Sequence, residues 1–156
     1  MYPGNLAKKY KDRPAFIMAS TGDTVTYSEF EERSNQLAHF FRDEGLEKGD
    51  HYSIFMENNN RYLESNSAGE RAGLIYTCIN SYLKEEELAY ILVNSDSKIL
   101  ITSISKIDIV KKAVKRCSAI KKILVVGAEE ALLPNGMHDF VKTISQNPTS
   151  PIQDES

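Results

Sequence analysis

Apolar positions along the chain alternate between short continuous runs and stripes at helical spacing. The runs are rich in β-branched and aromatic residues, which favours buried strands, and they cover residues 51–56, 74–79, 98–102 and 122–126. Segments with helical spacing lie between them, at 28–44, 61–72, 84–94 and 107–117. The segment at 84–94 is apolar nearly all round, so we expect that helix to be largely buried. This alternation predicts an α/β fold: a mostly parallel sheet, with helices on both faces and right-handed crossovers.

The N-terminal part predicts a β-hairpin followed by a helix. Residues 15–20 and 24–27 are strand candidates, and Thr21-Gly22-Asp23 suits the tight turn between them. Ser28 with Glu31 forms the pattern of a capping box, so the helix should begin at Ser28. Gly45 should end it.

The pattern weakens after Gly127. Residues 137–144 suggest a short helix, and residues 146–156, with Pro148 and Pro151 among polar residues, suggest a linker or a disordered tail. The predicted organisation is therefore an α/β subdomain at 1–127, followed by a short helix and a polar linker or tail at 128–156.

The composition argues against a nucleic-acid-binding, a secreted and a membrane-spanning protein. The 156 residues carry a net charge of −3, which gives no electrostatic case for nucleic acid. Cys78, in an apparently buried strand, and Cys117 are best explained as reduced thiols, and the N-terminus lacks the apolar core of a signal peptide. No apolar run reaches the length of a membrane span. These features predict a cytoplasmic protein without a transmembrane segment.

Motifs for phosphate and metal chemistry are missing from the sequence. Neither a Walker loop nor GxGxxG occurs, and the three histidines lack metal-ligand spacing. Glu85-Glu86-Glu87 is better explained as a solvated helix start, and the basic cluster at 111–116 as the outer face of an amphipathic helix. The sequence therefore predicts no catalytic residue and no metal ligand.

The segment from Glu70 to Leu83 contains the end of a helix, a glycine that can terminate this helix, and a strand. Polar residues follow the carboxyl end of that strand. Together with Val25-Thr26-Tyr27-Ser28-Glu29-Phe30, it resembles the first two core motifs of the adenylate-forming enzymes, which include the acyl-CoA synthetases. The order of motifs is similar from Asp12 to about Gly127. Ser65, Asn66 and Ser67 depart from the family, which more often has apolar residues there.

The resemblance implies the N-terminal subdomain of an AMP-forming acyl-CoA synthetase. The complete enzyme would use ATP, Mg²⁺ and CoA to activate a carboxylic acid, with a fatty acid favoured, and to transfer the acyl group to CoA. In some relatives an arginine near the phosphates of CoA occupies the position of Tyr82, which makes Tyr82 the one candidate cofactor contact. A tyrosine cannot pair with phosphate as a cation, so a packing or hinge role for this loop is the favoured alternative. The phosphate loop and the other catalytic motifs are absent here, so we expect the chain alone to be inactive and to bind none of these cofactors.

Two other interpretations stay open on sequence grounds. The chain could be a stand-alone α/β interaction module without catalytic activity, or a small flavodoxin-like domain, although the latter lacks the required glycine loop. The expected partners are the rest of a synthetase chain and, because a subdomain separated from its neighbours exposes apolar surface, a second copy in a homo-oligomer. The identity of the activated acid is not encoded in these residues.

Overall fold

The computed structural model describes residues 2–156, which form two compact units. The first unit comprises residues up to Lys48, together with Asn58–Gly73 and Ile144–Ser156. The second comprises Gly49–Glu57 and Leu74–Thr143. This division does not test the boundary predicted at residue 127, which stays a prediction.

The first unit is built on a pair of packed helices. Its elements are α1 (Gly4–Tyr10), β1 (Pro14–Ile17), β2 (Thr24–Thr26), α2 (Tyr27–Asp43) and α3 (Tyr62–Ala72). The strands β1 and β2 form the predicted antiparallel hairpin. Leu37, Ala38 and Phe41 of α2 are completely buried, as the helical stripe predicted.

The start of α2 differs from the prediction. Thr26, not Ser28, caps the helix: its Oγ1 accepts from the Glu29 amide at 3.2 Å, and the Glu29 carboxylate accepts from the Thr26 amide at 2.9 Å. Thr26 has the extended backbone that a cap requires, whereas Ser28 is already helical. Gly45 ends the helix as predicted, in a Schellman arrangement in which the Leu46 amide donates to the Phe41 carbonyl.

Polar residues fill the inner face of α3, and one of them, Ser65, lies where the family more often has an apolar residue. Glu64, Ser65 and Arg71 are all completely buried. Most of their polar groups have partners: Ser65 Oγ donates to the Arg61 carbonyl at 2.8 Å, and Glu64 accepts from Arg61 and from Arg33 of α2. The buried Nε of Arg71 has no hydrogen-bond partner among the described residues. A helix with this composition can therefore pack, because most of its buried polar groups carry partners.

The second unit is a five-stranded parallel sheet in the order β4-β3-β5-β6-β7. Its strands are β3 (His51–Phe55), β4 (Ile75–Cys78), β5 (Ile99–Ser103), β6 (Lys122–Val126) and β7 (Met137–Asp139). The helices α4 (Glu85–Asn94) and α5 (Ile107–Ala113) pack their apolar residues with those of the sheet in one core. The predicted α/β fold with a parallel sheet flanked by helices is confirmed.

Three local predictions in this part of the chain are wrong. β4 lies at the edge of the sheet, so Ile75 and Cys78 are exposed and not buried. Only one face of α4 is buried, and Tyr90 and Val93 point outward. The predicted helix at 137–144 is a strand followed by the five-residue helix α6 (Phe140–Ile144), because Met137 to Asp139 pair with β6.

The last ten residues contain no helix or strand. They nevertheless make specific contacts within the first unit, and Ile152 is buried there. Among residues 2–156, no helix combines the length and hydrophobicity needed to cross a membrane.

The position of the α2 cap gives a testable prediction. Changing Thr26→Ala should lower the free energy of unfolding by about 1 kcal/mol, because the Glu29 amide loses its acceptor. The matched control is Ser28→Ala, whose hydroxyl donates only to the exposed Glu32 carboxylate at 3.3 Å. Urea denaturation measures the free energy of unfolding of both variants. A larger decrease in Ser28→Ala than in Thr26→Ala would show that Ser28 is the N-cap, as the sequence predicts.

Candidate functional site

The carboxyl ends of β3 and β5 mark the topological switch point of the sheet. From β3 the chain crosses to β4 on one side, and from β5 it crosses to β6 on the other. Open α/β sheets bind ligands in the crevice where the strand order reverses in this way. The loops that follow β3, β4 and β5 are therefore the part of the second unit where a ligand is expected.

A carboxylate and two hydroxyls meet at this point. Glu57, two residues after β3, accepts hydrogen bonds from Ser103 Oγ at 2.6 Å and from Ser105 Oγ at 2.7 Å. The two serine oxygens are 3.0 Å apart. Partial burial raises the pKa of Glu57, but hydrogen bonds from the two serine hydroxyls and from its own backbone amide, with a smaller contribution from the Lys106 charge, together outweigh it, so the pKa lies below its ordinary value. Glu57 is therefore held as a carboxylate.

The loop after β4 carries Tyr82, the predicted cofactor contact. Asn80 Oδ1 accepts from the Tyr82 amide at 3.0 Å, which folds the loop into an Asx turn. The Tyr82 side chain is 86% exposed, and its ring centroid lies 5.8 Å from Lys106 Nζ. The structure thus brings Tyr82 together with a cation. Its contact with a cofactor is not tested and stays a prediction.

Sequence reasoning missed Glu57, Ser103, Ser105 and Lys106. The sequence carries no motif at these positions: Glu57 opens a polar turn, and the serines and Lys106 lie between a predicted strand and a predicted helix. The available signal was their position: Glu57 and Ser103 come directly after predicted parallel strands, and Ser105 and Lys106 follow within three residues of Ser103. Only the strand order, which the sequence did not provide, shows that β3 and β5 are neighbours and that these residues meet.

The remaining polar residues singled out in the sequence have structural partners. His39, His51 and His138 contact the Ser150 carbonyl, the Ser95 carbonyl and the Glu130 carboxylate, respectively. Glu85 and Glu86 face Lys112 and Arg116 at 3.8 and 4.0 Å, which agrees with solvated helix faces. Within residues 2–156, His, Cys, Asp and Glu form no group of three or more that could hold a metal ion.

Cys117 is buried beneath α5, and its thiol donates to the Ala113 carbonyl at 3.4 Å. Burial raises the pKa of this thiol. A thiol with a raised pKa is a poor nucleophile, so Cys117 acts as a packing residue.

Comparison with known proteins gives one consistent result. Residues 5–155 match the family model described as "AMP-binding enzyme". The 3-oxocholest-4-en-26-oate–CoA ligase of Rhodococcus rhodochrous is 36% identical over 109 residues, which are 70% of this chain and 20% of that protein. A medium/long-chain-fatty-acid–CoA/3-oxocholest-4-en-26-oate–CoA ligase of Mycolicibacterium smegmatis is 34% identical over 115 residues, 74% of this chain and 20% of that protein.

Solved structures agree on the fold. The anthranilate CoA ligase AuaEII in complex with anthranoyl-AMP superimposes with a TM-score of 0.88 at 18% identity, over 98% of this chain and 29% of that chain. A benzoate CoA ligase of Burkholderia xenovorans LB400 gives a TM-score of 0.82 at 19% identity, over 99% of this chain and 29% of that chain. The present chain spans about a fifth of the length of the first two curated relatives.

The Glu57 cluster predicts a specific pH dependence. Because the pKa of Glu57 is lowered by folding, its ionisation contributes stability that is present above its unfolded pKa of about 4.3. That stability is lost as the pH falls through the lower, folded pKa. In Glu57→Gln, the free energy of unfolding should therefore fall less than in the wild type between about pH 6 and about pH 3.

The control is Glu129→Gln, which removes an exposed carboxylate outside the cluster. It should keep the wild-type pH dependence in the same urea titrations. An identical loss of stability in Glu57→Gln and the wild type would show that the serine hydroxyls do not favour the carboxylate.

Proposed function

The chain belongs to the family of AMP-binding enzymes. We propose that it is the N-terminal part of an AMP-forming acid–thiol ligase. The complete enzyme would join a carboxylate to the α-phosphate of ATP with release of pyrophosphate, and then transfer the acyl group to the thiol of CoA with release of AMP. The observation that carries this proposal is the match of residues 5–155 to the family, together with relatives that are themselves CoA ligases.

The proposed acid is a medium- or long-chain fatty acid. Relatives from Mycolicibacterium smegmatis and Mycobacterium marinum carry that activity in their names, together with a steroid acid. The 4-coumarate–CoA ligase CCL1 of Humulus lupulus, at 28% identity, shows that the family also includes ligases for aromatic acids. We place the activity in the cytoplasm, in line with the free cysteines.

In the proposed enzyme, this chain contributes the parallel sheet and the loop after β4 that carries Tyr82. The Asx turn at Asn80 fixes the backbone that presents Tyr82, and Lys106 adds a cation beside the ring. Tyr82 can donate one hydrogen bond to CoA but cannot form an ion pair with its phosphates. ATP, Mg²⁺ and CoA are assigned to the complete enzyme. The 156 residues contain no glycine-rich phosphate loop.

The first test measures the size of the native protein and its activity. An antibody against the 156-residue chain should detect, in source cells, a protein several times larger than 17.6 kDa. That protein should catalyse acid-dependent ATP–pyrophosphate exchange, whereas the purified 156-residue chain should not. A native protein of 17.6 kDa that shows no exchange but binds a partner would favour the interaction module instead.

The substrate proposal is tested on the larger protein. Medium- and long-chain fatty acids should give a kcat/KM at least tenfold above that of 4-coumarate, with acyl-CoA measured by mass spectrometry. Reactions without CoA serve as the control and should stop at the acyl-adenylate. A preference for 4-coumarate would reject the fatty-acid assignment while leaving the ligase reaction intact.

A further inference from the structure

Residues 147–156, here called the strap, lie along α2 without regular secondary structure, with bends at 147, 149 and 150 and a turn at 153–154. The carbonyls of Asn147, Thr149 and Ser150 each contact one side chain of α2. Their partners are Gln36 at 3.1 Å, Asn35 at 2.7 Å and His39 at 2.9 Å. Side chains of α2 therefore bind the backbone of the strap, which itself contains no helix or strand.

Two arginines hold the acidic end of the strap. Arg42 forms a bidentate pair with Asp154, with Nε–Oδ1 and Nη2–Oδ2 distances of 3.1 and 2.9 Å. Arg71 Nη1 donates to Glu155 Oε1 at 2.5 Å. Arg42 also donates to the carbonyls of Leu46 and Ala72, so its position does not depend on the strap.

Apolar burial contributes little to this docking. Ile152 is the one apolar strap side chain that is buried, at 5% exposure, and the other strap residues are exposed or half-buried. By contrast, Leu37, Ala38 and Phe41 of α2 lie in the core with no exposed area. The contacts that hold the strap are thus mainly polar, and water and salt ions can replace them.

Release of the strap would not leave a buried charge without a partner. Arg71 is completely buried, and its Nη2 also donates to Glu31 Oε2 at 2.6 Å and to Ser34 Oγ at 3.1 Å. These contacts come from α2 and persist when Glu155 leaves. The large penalty for an unpaired buried cation therefore does not oppose opening.

We propose that the strap is a detachable segment controlled by ionic contacts, which opens while α2 and α3 stay folded. Opening uncovers the row of donors on α2, from Asn35 to Arg42. It also widens the cavity between α1 and α2, which Thr149 and Pro151 border together with Lys8 and Lys11. The strap is thus a conformational switch of the first unit.

The experiment uses methyl-labelled protein and a soluble paramagnetic agent, with NMR relaxation as the measure of exposure. Ile152 reports on the strap and Leu37 on the core of α2. In the double variant Asp154→Asn/Glu155→Gln, relaxation of the Ile152 methyls should increase several-fold, and Leu37 should not change. Wild-type protein in about 1 M NaCl, where the Debye length is about 3 Å, should show the same direction of change.

Asp12→Asn is the matched control, because it removes one exposed carboxylate of the first unit that lies outside the strap. It should leave both methyl groups as in the wild type. Protection of Ile152 in the double variant would overturn the proposal, since the ion pairs would then not control docking. Simultaneous exposure of Ile152 and Leu37 would also overturn it, because the strap would then be an integral part of the helical core.

Discussion

The buried guanidinium of Arg71 sets the strongest constraint on the first unit. A cation without exposed surface is tolerated only when carboxylates and other acceptors surround it, and Glu31, Ser34 and Glu155 provide them. The ring of Tyr2 covers the guanidinium, with its centroid 4.6 Å from the central carbon. One side chain of α3 thereby connects the N-terminal segment, α2 and the strap. Loss of the Arg71 charge would leave Glu31 with fewer donors in a largely enclosed place.

The strands and helices could be predicted because their determinants are local. Runs of β-branched residues placed β3, β5 and β6 within one or two residues, and the glycine at position 45 correctly placed the end of α2. The errors arose where position in the sheet or a competing cap decided the outcome. β4 has the composition of an interior strand but lies at the edge of the sheet. Thr26 is the N-cap of α2 because strand β2 ends there in an extended conformation.

The candidate site could not be assembled from sequence in the same way. Glu57 and Ser103 are 46 positions apart, and nothing in the spacing shows that they are in contact. Parallel pairing of β3 with β5 brings them together. Tyr82 was identified only through the family resemblance, and its neighbour Lys106 only through the fold. Family membership is thus well supported, while the chemistry of the loops depends on long-range topology.

The way in which α2 holds the strap also affects how freely the sequence can vary. Asn35 and His39 contact the carbonyls of Thr149 and Ser150, and every amino acid carries the same carbonyl group. Substitutions at positions 149 and 150 should therefore be nearly neutral in evolution, provided that the backbone can keep its bends there. The donors on α2 and the acids at 154 and 155 do not have this freedom. Sequence drift in this region should accordingly accumulate in the middle of the strap and be scarce on the helix face beneath it.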